Sequence, residues 1–158
     1  MGCAGLRTSQ LTPSEWITVN LNLILADYVR IADGKLDVLG GGWETIQVVD
    51  GFIGPHALGI VVEIPFTELE THHTMTIRLL TNENALVFGA DGEPIFVANA
   101  EFWAEKHPGI SPGYSAMAKM PLPIPQLPVS TGRYKYQVEI NNHSQPDWEI
   151  PFTVFSAE

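Results

Sequence analysis

The feature that most constrains the fold of this chain is an alternation of apolar and polar residues with a period of two. The clearest case is YKYQVEI (134–140), in which aromatic and aliphatic residues alternate with Lys135, Gln137 and Glu139. Seven further segments show the same period: VNLNLIL (19–25), KLDVL (35–39), TIQVV (45–49), ALGIVVEI (57–64), MTIRL (75–79), FVANAEF (96–102) and WEIPFTV (148–154). Because successive side chains of a strand point to opposite faces, this period predicts strands with one buried face.

Turn signals separate these segments and favour a compact all-β fold. They are Asp33-Gly34, Gly40 to Gly42, Asp50-Gly51, Asp91-Gly92, Thr131-Gly132 and Asn141-Asn142. Many short strands at this spacing predict a single antiparallel β-sandwich over residues 16–158, of immunoglobulin-like or jelly-roll-like topology. The segment FTELETHH (66–73) is the one stretch compatible with a helical turn.

The first fifteen residues, MGCAGLRTSQLTPSE, lack this alternation and are mostly small or polar. We predict that residues 1–15 form an N-terminal extension or docking arm outside the core. The start MGCAG does not fit myristoylation, because Leu6 stands where Ser or Thr is required, or a lipoprotein, because no apolar run precedes Cys3. Without a signal peptide or an apolar run of membrane-spanning length, we expect a cytosolic product and no membrane partner.

The charge of the chain restricts its partners. Eighteen Asp and Glu against eight Lys and Arg give a formal net charge of −10. Such a surface repels phosphate backbones, which argues against nucleic acid as a partner and is compatible with a basic protein surface. The single cysteine, Cys3, cannot form an internal disulfide, so the fold must be stabilised by packing.

Three consecutive glycines precede Trp43 in DGKLDVLGGGW (33–43) and raise the question of a phosphate-binding loop. Such a loop needs a helix after it, because the N-terminus of that helix supplies the donors. The segment that follows, WETIQVV, has the period of a strand instead. We therefore predict that Gly40 to Gly42 form a turn or bulge between two antiparallel strands, with glycine where a positive φ is required.

The proline-rich segment MPLPIPQLP (120–128) has two interpretations. In a strand, Pro121, Pro123 and Pro125 would remove the N–H donors from one edge, while Leu122 and Ile124 pair on the other, which is typical of a protected edge strand. The alternative is a polyproline ligand segment. The edge strand is favoured, because the aliphatic residues between the prolines need burial.

Two patterns in the sequence resemble a catalytic site and a metal site, but each lacks a feature that such a site requires. GISPG (109–113) matches G-x-S-x-G, but the residue after Ser111 is Pro112, which has no N–H to donate to an oxyanion. The adjacent His72 and His73 would point to opposite faces of a strand, so they are a poor chelating pair. The five histidines, which are His56, His72, His73, His107 and His143, are expected to be solvated loop residues.

Several acidic and aromatic residues are also candidates for a site. A metal site made from distant histidines with Glu68 or Glu70 is the minor alternative. Three aspartates, Asp27, Asp33 and Asp37, cluster near the first hairpin and could act as paired carboxylates. A turn role accounts for Asp33, and a solvent-facing role accounts for Asp37. The four tryptophans, Trp16, Trp43, Trp103 and Trp148, form either a binding platform or parts of the core and rims. The sequence assigns no catalytic, cofactor-binding or metal-binding residue.

The segment LPVSTGRYKYQV (127–138) resembles the tyrosine corner of immunoglobulin-like sandwiches, because Tyr134 opens a late strand just after a turn. The alternative is an ordinary core tyrosine. The role is structural in both cases.

The stretch LILADYVRIADGKLDVLGGGW (23–43), with GRYKYQVEINN and PFTVF near the C-terminus, resembles a domain-of-unknown-function family. Members of that family are short bacterial and actinobacteriophage proteins with an "LLAD…V.DGKL.LLGGGW" pattern. The resemblance covers roughly residues 20–156, and residues 1–15 depart from it because the family's first strand lies almost at the N-terminus. It implies a β-sandwich of phage or bacterial origin and brings no functional residues.

These observations favour a non-enzymatic structural or interaction module without a cofactor. We expect a protein partner, either the chain itself or a larger assembly such as a phage virion, with the protein acting as head decoration or tail accessory. The expected location is therefore a virion or the bacterial cytoplasm. The alternative is a small-molecule or carbohydrate-binding β-sandwich that uses Trp or His residues at its rim.

Overall fold

The computed structural model describes residues 20–157, so the docking arm predicted at residues 1–15 lies outside the described part. The strands are β1 (Asn20–Ala26), β2 (Tyr28–Ala32), β3 (Lys35–Leu39), β4 (Thr45–Val49), β5 (Phe52–Ile53), β6 (His56–Pro65), β7 (His73–Thr81), β8 (Val97–Phe102), β9 (Ser115–Ile124), β10 (Gly132–Ile140) and β11 (Glu149–Phe155). One 3-10 turn, Phe66–Glu68, follows β6 within the segment expected to allow a helical turn. The prediction of an all-β protein is confirmed.

Two sheets form the sandwich, and a hairpin is added to it. One sheet has the order β1-β6-β9, the other has the order β5-β4-β11-β10-β7-β8, and β2 pairs with β3. An immunoglobulin-like sandwich has strands A, B and E in one sheet and strands C, F and G in the other. The same division is present here, with β1, β6 and β9 in one sheet and β7, β10 and β11 in the other. The strand pairs of the described residues are antiparallel apart from β4 and β11, which run parallel to each other.

The core lies between the two sheets and is formed by the apolar face of each alternating segment. Residues with side chains that are almost fully enclosed include Leu25, Leu58, Ile60, Met75, Ile77, Leu79, Tyr136, Val138, Ile140 and Trp148. The opposite face of the six-stranded sheet is polar, with ion pairs between Lys135 and Glu149 and between Arg78 and Glu139. The period of two thus identifies the buried face of both sheets.

The β2–β3 hairpin lies across the outer face of the three-stranded sheet and forms a second, smaller core there. Ala26, Ala57 and Val29 are buried in it, with Leu36 packed against them. The small residues are required for this approach, since a Cβ on Gly59 would lie 2.9 Å from the Cγ2 of Ile24 and 3.4 Å from the Cδ2 of Leu36. As a result β6 is covered on both faces, which explains why its first five residues are all buried.

The three glycines do not join two paired antiparallel strands, so that part of the prediction is wrong. They lead from β3, in the hairpin, to β4, in the six-stranded sheet. Gly40 and Gly42 have positive φ values of 62° and 89°. Gly41 does not have a positive φ. Glycine is needed at this position because an added Cβ would lie 2.6 Å from the Cγ1 of Val38. The N–H of Gly42 donates to the carbonyl of Leu25 at 2.8 Å, which fixes the crossing against β1.

The proline-rich segment belongs to β9, which has β6 as its one strand partner among the described residues and is therefore an edge strand, as predicted. Pro121 and Pro123 lie in the strand opposite Gly59 and Ala57. Pro125 lies beyond its end, and the strand begins at Ser115, earlier than the sequence indicated. The preceding residues 115–119 were missed because their alternation is short and interrupted by alanines.

The tyrosine corner is present. The Oη of Tyr134 donates to the carbonyl oxygen of Ser130 at 2.9 Å, four residues upstream, and its ring is buried against Phe152. This hydrogen bond fixes the turn that leads into β10.

Replacing Tyr134 with Phe should lower the free energy of unfolding by about 1 kcal/mol, because the carbonyl of Ser130 loses its donor in a partly buried place. Urea denaturation measures the change. Tyr114→Phe is the matched control, since Tyr114 is 69% exposed. Equal stability of the two variants would show that the bond contributes nothing to the fold.

Gly41→Val should lower the free energy of unfolding by about 1–3 kcal/mol, because the new side chain overlaps Val38 in a closely packed region. The control is Gly54→Val, since a Cβ at Gly54 meets nothing within 4 Å. Thermal and urea unfolding of both variants give the comparison, and an unaffected Gly41→Val protein would contradict the packing argument.

Candidate functional site

An open groove of about 700 Å³ separates β9 from the end of β8 and the segment that follows it. One wall consists of the six consecutive residues 115–120, and the other includes residues 101–105 with His107 and Ile110. Successive side chains of a strand point to opposite faces, so a cavity that touches six consecutive residues runs along the backbone edge. The groove therefore follows the free edge of β9.

The hydrogen-bonding direction of β9 follows from its neighbours. The N–H of Phe66 donates to the carbonyl of Tyr114 at 3.1 Å, just before β9 begins, so even-numbered residues here face β6. The register pairs Ala116 with Ile64 and Ala118 with Val62 in continuation of that bond. Because the backbone groups of an antiparallel strand alternate in direction, the N–H and C=O groups of Met117 and Lys119 point into the groove.

The groove occupies the position of a strand that an immunoglobulin-like sandwich of constant type would contain. In that fold the sheet with strands A, B and E has a fourth strand, D, beside E. Here the chain between β8 and β9, residues 103–114, forms no strand, and β9 corresponds to E. The sheet therefore ends one strand early, at an edge with unpaired donors and acceptors.

Exposed apolar side chains border the groove. Trp103 is 45% exposed and Met117 is 50% exposed, and Ile31 reaches the same groove from the tip of the β2–β3 hairpin. The indole of Trp103 stacks on the imidazole of His72, with ring centroids 4.3 Å apart and planes 8° from parallel. The Nδ1 of His72 lies 3.0 Å from the Oε1 of Glu101, which holds this stack in place.

Carboxylates line one wall of the groove, and a further carboxylate lies on β6 beyond the other wall. Glu101 and Glu105 line it opposite β9. Glu63 lies directly opposite Met117 on β6. Hydrogen bonds from the Ser115 hydroxyl at 2.6 Å and from the Asn20 amide at 2.9 Å lower the pKa of Glu63, so it carries its negative charge at neutral pH. Lys119 is the one lysine or arginine among the groove-lining residues.

Two histidines are buried, which contradicts the expectation that all five are solvated. The Nδ1 of His56 lies 2.9 Å from the carbonyl of Gly54, so it must carry the proton. Its Nε2 then accepts from the hydroxyl of Tyr136 at 2.8 Å. Burial lowers the pKa of His56 and raises that of Tyr136, so both side chains are neutral and serve the core.

His73 is the second buried histidine, and its ring is also neutral. The Oδ1 of Asn141 accepts from the N–H of Thr74 at 2.9 Å, which directs the Nδ2 of Asn141 toward the Nδ1 of His73 at 3.0 Å. That nitrogen must therefore accept. Burial lowers the pKa of His73, and a hydrogen bond to the backbone of Glu68 opposes the shift. His72, its neighbour, lies just before β7 and is half exposed.

The remaining candidates from the sequence do not converge on a reactive centre. The carbonyl of Ser111 accepts from Tyr114 within a turn, and Asp37 pairs with Arg30 at 3.1 Å on the surface. Asp33 has a φ of 52°, in keeping with its turn role. Among residues 20–157, no group of three or more His, Cys, Asp or Glu side chains could hold a metal ion.

The tryptophans divide between core and rim. Trp148 is enclosed in the core, Trp103 lies at the groove, and Trp16 is outside the described residues. Trp43 packs edge-on against His56 and Phe152, and its buried indole N–H meets no acceptor in the described part of the chain. No pattern in the sequence distinguishes Trp103 from the other tryptophans, because its position depends on the irregular segment 103–114.

The two buried neutral histidines should make the free energy of unfolding depend on pH. Below the ordinary histidine pKa of about 6.5, the unfolded chain binds protons that folded His56 and His73 resist. Stability should therefore be constant above about pH 7 and fall as the pH decreases below 6.5, by at most about 1.4 kcal/mol per pH unit for each histidine.

Urea unfolding of the wild type, His56→Gln and His73→Gln between pH 7.5 and 5.5 measures this slope. Each substitution should make the slope shallower, whereas His107→Gln, which changes an exposed histidine, should leave it unchanged. Equal slopes in all four proteins would contradict the assignment.

Within residues 20–157, no helix has the length and hydrophobicity needed to cross a membrane. Comparisons with curated proteins and with solved structures gave no significant match. Residues 21–155 match a family described as "Family of unknown function (DUF6941)", which agrees with the resemblance of the first hairpin and the glycine crossing to an uncharacterised family. Because the match extends over most of its length, the chain belongs to DUF6941, a family of unknown function.

Proposed function

We propose that this protein is a non-enzymatic interaction module that binds a protein partner in the groove along β9. The observation that carries this proposal is the unpaired edge of β9, where the backbone groups of Met117 and Lys119 face a groove bordered by Trp103 and Ile31. Unpaired strand edges and exposed aromatic residues are both common features of protein-binding sites.

The histidine contacts support the non-enzymatic part of the proposal. His56 and His73 have their ring nitrogens occupied by core hydrogen bonds, and His72 is held by Glu101 and Trp103. A general base must instead lie within reach of a substrate proton. Of the described residues, His107 is the histidine that lines the groove, and its Nδ1 accepts from the N–H of Gly109 and not from a nucleophilic side chain.

The partner we propose is part of a larger assembly, and specifically a phage virion in which the protein acts as head decoration or tail accessory. Support comes from the acidic composition, which suits a basic partner surface, and from the resemblance of the LILAD and LGGGW segments to phage proteins. The polar outer face of the six-stranded sheet, with its ion pairs, is suited to solvent. The binding surface is then the groove, at the edge of the sandwich.

A second candidate function, carbohydrate binding, is favoured by the stack of Trp103 on His72. An exposed indole beside Glu101 and Glu105 offers a ring face for a sugar and carboxylates for its hydroxyl groups. We rank it second, because it leaves the adjacent backbone groups of β9 without a role.

Met117→Asp should remove the protein from its assembly, because the substitution places a charge in the groove. Quantitative mass spectrometry of purified phage particles and of the cytosolic fraction from the same lysate measures the partition. The matched control is Val49→Asp on β4, since Val49 is 58% exposed and lies outside the groove.

We expect Val49→Asp to co-purify as the wild type does and Met117→Asp to be depleted at least ten-fold, with unchanged melting temperatures for both. Absence of the wild-type protein from the particles would contradict the virion proposal. Binding of a glycan by the wild type that is lost in Trp103→Ala, with no protein partner, would favour the second function.

A further inference from the structure

We infer that the groove receives an extended, basic segment of another protein, which pairs with β9 at Ser115–Lys119 as an added strand. The inference rests on the proposed function and specifies the chemistry of the partner. It follows from three properties of the groove, which are its unpaired backbone groups, its limited length and its charge.

The unpaired backbone groups favour an extended peptide over a helix or a sugar. Among residues 20–157, the N–H groups of Met117 and Lys119 meet no acceptor outside the ladder. They alternate with carbonyls that point the same way, at the repeat of a β-strand. An added strand satisfies these donors and acceptors together, which is the basis of peptide binding by β-strand addition.

The open part of the edge is confined to the first half of β9. Pro121 and Pro123 have no N–H, so the free edge of the second half of β9 has no donors. The tip of the β2–β3 hairpin, at Ile31 and Gly34, lines the groove beside Met120 and limits it at that end. The open edge, Ser115–Lys119, accommodates a strand of about five residues.

Side chains around the open edge select the sequence of the added strand. Ala116 and Ala118 point toward the interior, and their small size leaves room beside Ile110 for apolar side chains of the partner. The carboxylates of Glu101 and Glu105 line the groove, and Glu63 adds a further negative charge beyond Met117, on β6. An added strand with alternating apolar and Lys or Arg residues therefore meets a complementary surface on both of its faces.

The charge also argues against a second copy of this chain. Two copies each carry a net charge of −10 and would place like carboxylates and two Lys119 side chains along one shared edge. A basic partner gains from the same charge, both in its rate of association and in its specificity. The groove thus fits a partner with the opposite charge.

A displayed library of random eight-residue peptides, selected against the full-length protein, tests the inference. We expect enriched peptides that alternate apolar and basic residues. A synthetic copy of the most enriched peptide is then titrated by fluorescence anisotropy against the wild type and against Met117→Pro, which removes one groove-facing N–H without removing a ladder bond. The affinity should fall about five-fold, as expected for one hydrogen bond.

Three controls separate strand addition from other modes of binding. Met117→Leu retains the N–H and should bind within two-fold of the wild type. Methylating alternate backbone nitrogens of the peptide should abolish binding, and this test stays informative if Met117→Pro does not fold. Glu105→Gln should weaken binding at low salt, whereas Glu83→Gln, an exposed carboxylate that does not line the groove, should not.

Enrichment of no sequence, or of peptides that tolerate backbone methylation, would overturn the inference while leaving the particle-association result of Met117→Asp unaffected. A wild-type dimer that dissociates in Met117→Pro would assign the edge to a second copy and would also overturn it. If the protein fails to join any assembly but still binds the basic peptide through β9, the strand addition stands and the virion proposal fails.

Discussion

The burial of β6 on both of its faces determines the arrangement of the other elements. One face contributes Leu58 and Ile60 to the main core, and the other lies under the β2–β3 hairpin. The hairpin can approach because Ala57 and Gly59 leave room for it, and the crossing at Gly40 to Gly42 brings the chain back past β1 to the second sheet. Since β9 pairs with β6 and the hairpin tip reaches over β9, the same packing that closes the small core also limits the open edge to the first half of β9.

Much of this arrangement could be predicted from local sequence. The eight alternating segments all lie in or beside strands, because a half-buried strand leaves a period of two in its side chains whatever its partner. The tyrosine corner was recognisable because it depends on a turn and on residues only four positions apart, Ser130 and Tyr134. The false nucleophile at Ser111 could be rejected because the chemical argument concerned the very next residue, Pro112.

Other features depend on contacts between distant parts of the chain, and the sequence carries no local sign of them. The parallel pairing of β4 with β11 joins residues more than a hundred positions apart, and no alternation distinguishes it from antiparallel pairing. His56 and His73 look like solvated polar residues until Tyr136 and Asn141, far along the chain, are placed beside them. The groove could not be predicted for the same reason, because Trp103 and Met117 lie on its two walls and the segment between β8 and β9 has no periodicity.

The two halves of β9 differ in how their free edge is protected against pairing with other strands. An unpaired edge promotes unwanted association, and proteins protect such edges with prolines, charges or covering loops. The second half of β9 has two of these devices, Pro121 and Pro123 together with the overhanging hairpin. The first half has Lys119 alone, beside an exposed Met117 and the Trp103 stack. If protection against association were the only requirement on this strand, the same devices would serve its whole length. The contrast within one strand therefore favours an edge that is kept open for a specific strand, with the surrounding carboxylates restricting which strand can pair there.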